Sequence, residues 1–201
     1  MSEPAEIARA VAVLREGGLV AFPTETVYGL GCDAESPVAL RRLFAVKRRP
    51  ADHPVIVHVS SVAAIEVYAV DVSPVARALV DVFWPGPLTV VLPAAKNIPL
   101  KVTGGTGTVG IRIPDCHFTR MLMNAIDMPL IGTSANLSSH PACACAEEVL
   151  EQLGGRIELV IDGGKSQASA ASTLIDLTRG TPRILREGAI PSERLKKYLS
   201  L

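Results

Sequence analysis

Between residues 4 and 199 the chain switches repeatedly between two hydrophobic periods, and glycine or proline marks most of the switches. Apolar residues three and four apart, the spacing of an amphipathic helix, alternate with short apolar runs of strand length. Ile7, Val11 and Leu14 form a helical stripe over residues 4–16 that stops at Gly17-Gly18, and residues 19–22 read as a strand ending at Pro23. Ser36-Pro37 supplies an N-cap and a first-turn proline to a helix with Leu40, Leu43 and Phe44 on its core face, halted before Pro50. Residues 55–59 make a strand, with Val55, Val57 and Val59 on one side and Ile56 and His58 on the other. Further helices are expected at 74–83, 118–126, 147–153 and 193–199, and strands at 88–92, 111–113, 130–131, 159–161 and 173–177. The stretch 104–110 reads as a glycine-rich loop and 133–139 as a polar loop of small residues. Helices and strands interleaved from end to end, without linker or repeat, predict a single three-layer α/β domain over 1–201. The proline turns leave room for antiparallel pairs in its sheet.

Composition narrows the function classes. With 48% hydrophobic and 20% charged residues the chain has the balance of a folded protein rather than a disordered one. No apolar run is long enough to span a bilayer and the N-terminus lacks a signal-peptide pattern, so a cytoplasmic protein with no membrane contact is expected. A formal net charge of zero and 4% aromatics argue against an RNA-binding module and leave only weak tRNA or RNA contact. Charge placement says more than charge balance: Arg41, Arg42, Lys47, Arg48 and Arg49 share nine residues, so a local basic pocket fits a neutral protein. Cys32, Cys116, Cys143 and Cys145 lack the spacing of a zinc site or a disulfide framework and read as reduced thiols.

Two familiar motifs fail on context. Residues 105–110 match GxGxxG literally, but a strand follows where a dinucleotide site needs a helix N-terminus. Gly164-Lys165-Ser166 resembles the end of a phosphate-binding loop, yet Leu159 stands where its first glycine belongs. Four polar stretches at predicted strand ends remain: 23–31, 47–54, 134–136 and 108–112. Strand ends are where α/β domains bind ligands. Arg112, between Ile111 and Ile113, needs an anionic partner if buried, either an internal acid or a ligand.

Taken together, FPTETVYGLG (22–31), KRRP (47–50), FWPGPLT (83–89), VGIRIP (109–114), TSAN (133–136), STLID (172–176) and LREGAI (185–190) resemble, in order, the YrdC-like family, the L-threonylcarbamoyladenylate synthases. The resemblance implies a twisted mixed sheet around a large positively charged cavity, in the form without the extra C-terminal domain of some members. It implies condensation of L-threonine, bicarbonate or CO2, and ATP, with Mg2+ carried on the ATP phosphates. The product would pass to threonylcarbamoyl transferase machinery acting on tRNA. The family's Lys-x-Arg and Ser-x-Asn pairs fall on Lys47 with Arg49 and Ser134 with Asn136, read as catalytic. Threonine is placed near Thr26, His58, Arg112, Gly132 and Ser172, with Arg112 on its carboxylate; ATP is placed near Arg49, His53, Thr108, Ser134, Ala142 and Arg186. His53 stands where relatives often carry Asn, and Ala142 where Ser is common. A related carbamoyl-adenylate enzyme with another substrate is the competing expectation.

Overall fold

The computed structural model describes residues 2–167 and 170–199. Its elements are α1 (Glu3–Arg15), β1 (Val20–Phe22), β2 (Gly29–Asp33), α2 (Pro37–Lys47), β3 (Ile56–His58), α3 (Ile65–Tyr68) and α4 (Pro74–Phe83). Then follow β4 (Leu88–Pro93), α5 (Leu100–Thr103), β5 (Thr108–Arg112), α6 (His117–Ala125), β6 (Leu130–Ser134), α7 (Ala146–Leu153), β7 (Leu159–Val160), β8 (Thr173–Asp176), β9 (Arg183–Arg186) and α8 (Ser192–Lys196). The nine strands form one sheet in the order β7-β1-β2-β6-β3-β5-β4-β8-β9. Three of its pairs are parallel (β1 with β7, β3 with β5, β4 with β8) and the rest antiparallel, the mixed α/β sheet expected. Among the described residues no helix is long and apolar enough to cross a membrane.

Local chemistry explains the helices that were legible in advance. The Ser36 hydroxyl accepts from Ala39 N–H, and Ser73 does the same for Ala76, so α2 and α4 begin where their caps stand. At the other end of α2, Arg48 N–H bonds to Ala45 O and Arg49 N–H to Phe44 O, with Arg48 left-handed at φ 50°. This is a Schellman end built on arginine rather than glycine. It turns Lys47 and Arg49 in divergent directions from one helix terminus.

Side-chain alternation splits the core between the two faces of the sheet. Leu19 and Ala21 join the larger cluster with α2, α4 and α7, whereas Val20 and Phe22 face the smaller one with α1 and α6. The register aligns Cys32, Ile131, Val57, Ile111, Val90 and Ile175 side by side on the first face, all fully buried. The next row, on the opposite face, reads Gly31, Gly132, Ile56 and Gly110. The smaller cluster draws its strand residues from β1, β6 and β7, so α1 and α6 cover the β7–β1–β6 end of that face. Over the remaining strands the same face borders open space, and the site lies there.

Several boundaries differ from expectation. β2 was not foreseen, because Gly29-Leu-Gly carries little strand propensity; its glycines are where the Phe22 ring lies, and a Cβ on Gly31 would stand 2.6 Å from that ring. β5 begins at Thr108, inside the expected loop, and β6 runs on to Ser134, because the neighbouring strands supply backbone partners for these polar residues. β9 was likewise missed, and α8 is helical only to Lys196.

Candidate active site

The open face of the sheet floors a cleft. Thr26, His58, Arg112, Gly132, Ser134, Ala142, Ser172, Arg186 and Arg49 all line it, although they come from eight separate strands and loops. A second hollow is lined by Lys47, His53 and Asn136, and it shares Arg49 and Ser134 with the first. Every expected site residue therefore borders one hollow or the other, except Thr108. That residue sits at the far end of β5 from Arg112, with its hydroxyl against Thr106 at 2.9 Å.

Arg112 anchors the inner end. Its Nε donates to Gly86 O at 3.1 Å, and its Nη2 donates to Glu25 Oε1 at 2.7 Å and to the Thr26 hydroxyl at 3.0 Å. The Glu25 pair answers the burial argument made for Arg112, since an internal carboxylate meets the guanidinium in the free protein. Thr24 donates to Val27 O at 2.6 Å and stands 2.9 Å from the Thr26 hydroxyl. Because arginine can only donate, Thr26 accepts from Arg112 and passes its own proton to Thr24. The Pro-Thr-Glu-Thr stretch is thus a rigid relay holding one cation.

Arg186 and Arg49 complete a cationic wall. Arg186 donates to Ser172 O at 2.8 Å and to its hydroxyl at 3.3 Å, while Ser172 also meets Thr89 at 2.8 Å. Arg49 grips the backbone of the next loop through His53 O at 3.3 Å and Pro54 O at 2.8 Å. Burial together with its guanidinium neighbour lowers the pKa of each: Arg186 acts on Arg49, and Arg112 acts on Arg186. Like charges held this close favour an anion between them.

His58 lies flat against β6, on the backbone of Gly132, where any Cβ would strike its ring. Burial and the nearby Arg112 push its pKa down to about 3, so the imidazole is neutral at physiological pH. Its Nδ1 is buried without a partner. A neutral imidazole with an unused nitrogen, lining the cleft, is equipped to bond a ligand.

Lys47 behaves otherwise than expected. It borders the second hollow, yet it is 1% exposed and its ammonium donates to Ser134 O, to Asn136 O at 2.7 Å and to Asn136 Oδ1 at 3.4 Å. Asn136 in turn donates to Leu137 O and His140 O, and Ser138 N–H returns to Lys47 O. All three ammonium protons are therefore engaged in tying the 134–140 loop to the end of α2. Burial, and then Arg49, lower the Lys47 pKa to about 7.

Sequence reasoning passed over Glu25, Thr89 and Tyr28. The Tyr28 hydroxyl accepts from Gly163 N–H at 3.0 Å and donates to Gly164 O at 2.8 Å, fixing the turn beyond β7 against the mouth of the site. Only Glu25 carried a prior signal, as the one acid in the first polar stretch.

Known proteins share this arrangement of strands. Threonylcarbamoyl-AMP synthase of Pyrococcus abyssi is 44% identical over 190 residues, covering 94% of this chain and 56% of its own length. The chain thus spans little more than half of that relative. Threonylcarbamoyl-AMP synthase of Vibrio cholerae is 40% identical over 182 residues, covering 90% of this chain and 96% of its own. The crystal structure of Pyrococcus abyssi Sua5 complexed with L-threonine superposes with a TM-score of 0.95 at 43% identity, over 99% of this chain and 58% of that one. A family model for the Sua5/YciO/YrdC domain, described as telomere recombination, matches residues 12–188. With that match extending from α1 through β9, the chain belongs to the Sua5/YciO/YrdC family.

Proposed function

We propose that the chain condenses L-threonine, bicarbonate or CO2, and ATP into threonylcarbamoyl-AMP and pyrophosphate. The observation that carries this reading is the convergence of Arg49, Arg112 and Arg186 on one cleft beside a neutral His58. The substrates are anionic apart from the amine, and the chemistry needs them held together rather than attacked by the protein. That a relative was crystallised with L-threonine in the same fold supports the amino-acid assignment.

In this scheme the threonine carboxylate meets Arg112 beside Thr26 and Ser172, and His58 accepts a hydrogen bond from a donor of the amino acid. Gly132 adds no side chain, so the imidazole can lie against the sheet. The amine, having given a proton to solvent, forms an N–C bond to CO2 with loss of a further proton, or to bicarbonate with loss of water, and so becomes a carbamate. A carbamate oxygen then attacks the α-phosphorus of ATP and the bond to pyrophosphate breaks. Arg49, Arg186, His53 and Ser134 face the phosphates, with Ala142 a bare patch of the wall. Lys47 and Asn136 act by holding Ser134 and Arg49 in register. Among the described residues no group of three or more His, Cys, Asp or Glu side chains comes together, so these residues fit a cation held by substrate oxygens rather than by a protein cage. Mg2+ would arrive on the ATP phosphates and shield their charge there.

We place the protein in the cytoplasm, as a single domain whose product is consumed by a transferase modifying tRNA. Labelled threonine, bicarbonate and ATP-Mg2+ test the reading: pyrophosphate release is expected only with all three present. Release that ignores threonine would overturn the substrate assignment.

A further inference from the structure

The cleft gathers three arginines but only one of them is met by an acid. Among the described residues, Arg112 with Glu25 is the only ion pair that touches the cleft, and its side chains are 6% and 14% exposed. Among the described residues Arg49 and Arg186 meet only neutral oxygens, the carbonyls of His53, Pro54 and Ser172 and the Ser172 hydroxyl. The reaction proposed above brings two kinds of anion into one space: an amino-acid carboxylate with a single charge and a polyphosphate with several. Something must keep the polyphosphate, the stronger competitor for arginine, away from the amino-acid end.

We propose that Glu25 sorts these anions, making Arg112 selective for a monocarboxylate and leaving the polyphosphate to Arg49 and Arg186. This rests on the reading of the site given above. The charge of Glu25, paired to Arg112 at 2.7 Å, carries the point, and the proton inventory of Arg112 shows where a ligand can reach it. Nε is taken by Gly86 O, and both Nη2 protons are taken, one by Glu25 and one by Thr26. Among the described residues Nη1 bonds to no protein atom and it is not enclosed, so it is the part of the guanidinium left to a ligand. Carboxylate and phosphate are both gripped best by two parallel N–H groups on one edge of the fork. Both such edges of Arg112 include Nη2, which Glu25 and Thr26 occupy, so either anion meets Nη1 alone and the Glu25 charge decides between them. Arg49 spends its Nε–Nη2 edge on two carbonyls and keeps the Nη1–Nη2 edge free, whereas Arg186 spends Nε and Nη2 on Ser172 and offers a phosphate its Nη1 and a charge that no acid offsets. Charge separates the two: the Glu25 carboxylate repels a multiply charged phosphate more than it repels a monoanion. Glu25 is a positioning and specificity residue, since it reaches the ligand only through Arg112.

Calorimetric titration of the full chain with L-threonine and with inorganic pyrophosphate tests this. In the native protein, saturating pyrophosphate is expected to leave the threonine Kd within about twofold, because the two occupy different arginines. In Glu25→Gln, which keeps the shape and removes the charge, pyrophosphate becomes a competitor. It should then raise the apparent threonine Kd by at least about tenfold. Glu25→Asp, which restores the charge, should recover most of the independence. A residue that merely supported the fold would lower the melting temperature without creating competition. Threonine binding in Glu25→Gln that stays as indifferent to pyrophosphate as in the native protein overturns the proposal. Should Glu25→Gln not fold, Glu25→Ser carries the same expectation. If the native protein binds no threonine, the substrate reading fails instead. Pyrophosphate stoichiometry then decides about Glu25, with one site expected in the native chain and a second gained in the variant.

Discussion

Replacing Lys47 by methionine separates two jobs that a lysine beside phosphates could do. If its ammonium tethers the 134–140 loop, the substitution strands Asn136 O, Asn136 Oδ1 and Ser134 O, which now accept from it. An unsatisfied buried acceptor costs about 1–3 kcal/mol. Part of that is offset because a charge whose pKa burial has lowered to about 7 need no longer be enclosed. The net loss should be ~2–4 kcal/mol, or a melting temperature lower by roughly 5–15 °C for a chain of this size. Because the loop carries Ser134 to the cleft, kcat/KM in the pyrophosphate-release assay should fall at least about tenfold in parallel. The pH dependence supplies an independent check. The folded chain binds fewer protons than the unfolded one between pH about 7 and the ordinary lysine value of 10.5, so stability rises with pH across that window. Lys47→Met should lack this rise. Lost activity with an unchanged melting temperature would refute the tether and make Lys47 a direct ligand of the anion.

Arg49→Ala should lower kcat/KM by at least about tenfold while leaving the melting temperature within a few degrees, since its protein contacts are two loop carbonyls; near-native rates would reduce the basic cluster to a solvated surface. For His58, whose folded pKa of about 3 lies below the free value of 6.5, the unfolded chain binds the extra proton between those limits. Stability is therefore lost as pH falls from about 6.5 to 3, and His58→Gln should flatten that acid limb by a few kcal/mol at most, read from urea unfolding as a function of pH. Gly132→Ala drives a methyl into the His58 ring and should cost about 1–3 kcal/mol together with threonine affinity; calorimetry showing native affinity would mean the imidazole has room to move.

How much of this was legible in advance depends on how local the physics is. The caps Ser36 and Ser73, the prolines beside them and the Lys-Arg-Arg-Pro stop act within one turn, so α2 and α4 fell where the residues said. The alternation of Val55, Val57 and Val59 against Ile56 and His58 likewise named the buried face of β3, and the seven ordered motifs pointed to residues that line the cleft. What no local signal held was register. Gly132 means little by itself, and becomes the seat of the His58 ring only because strand pairing lays β6 alongside β3. Glu25 and Arg112 lie 87 positions apart, and so do Lys47 and Ser134. Whether such a cation faces a ligand, an acid or a carbonyl is settled by burial and by which backbone comes alongside, quantities that exist only once the whole sheet has closed.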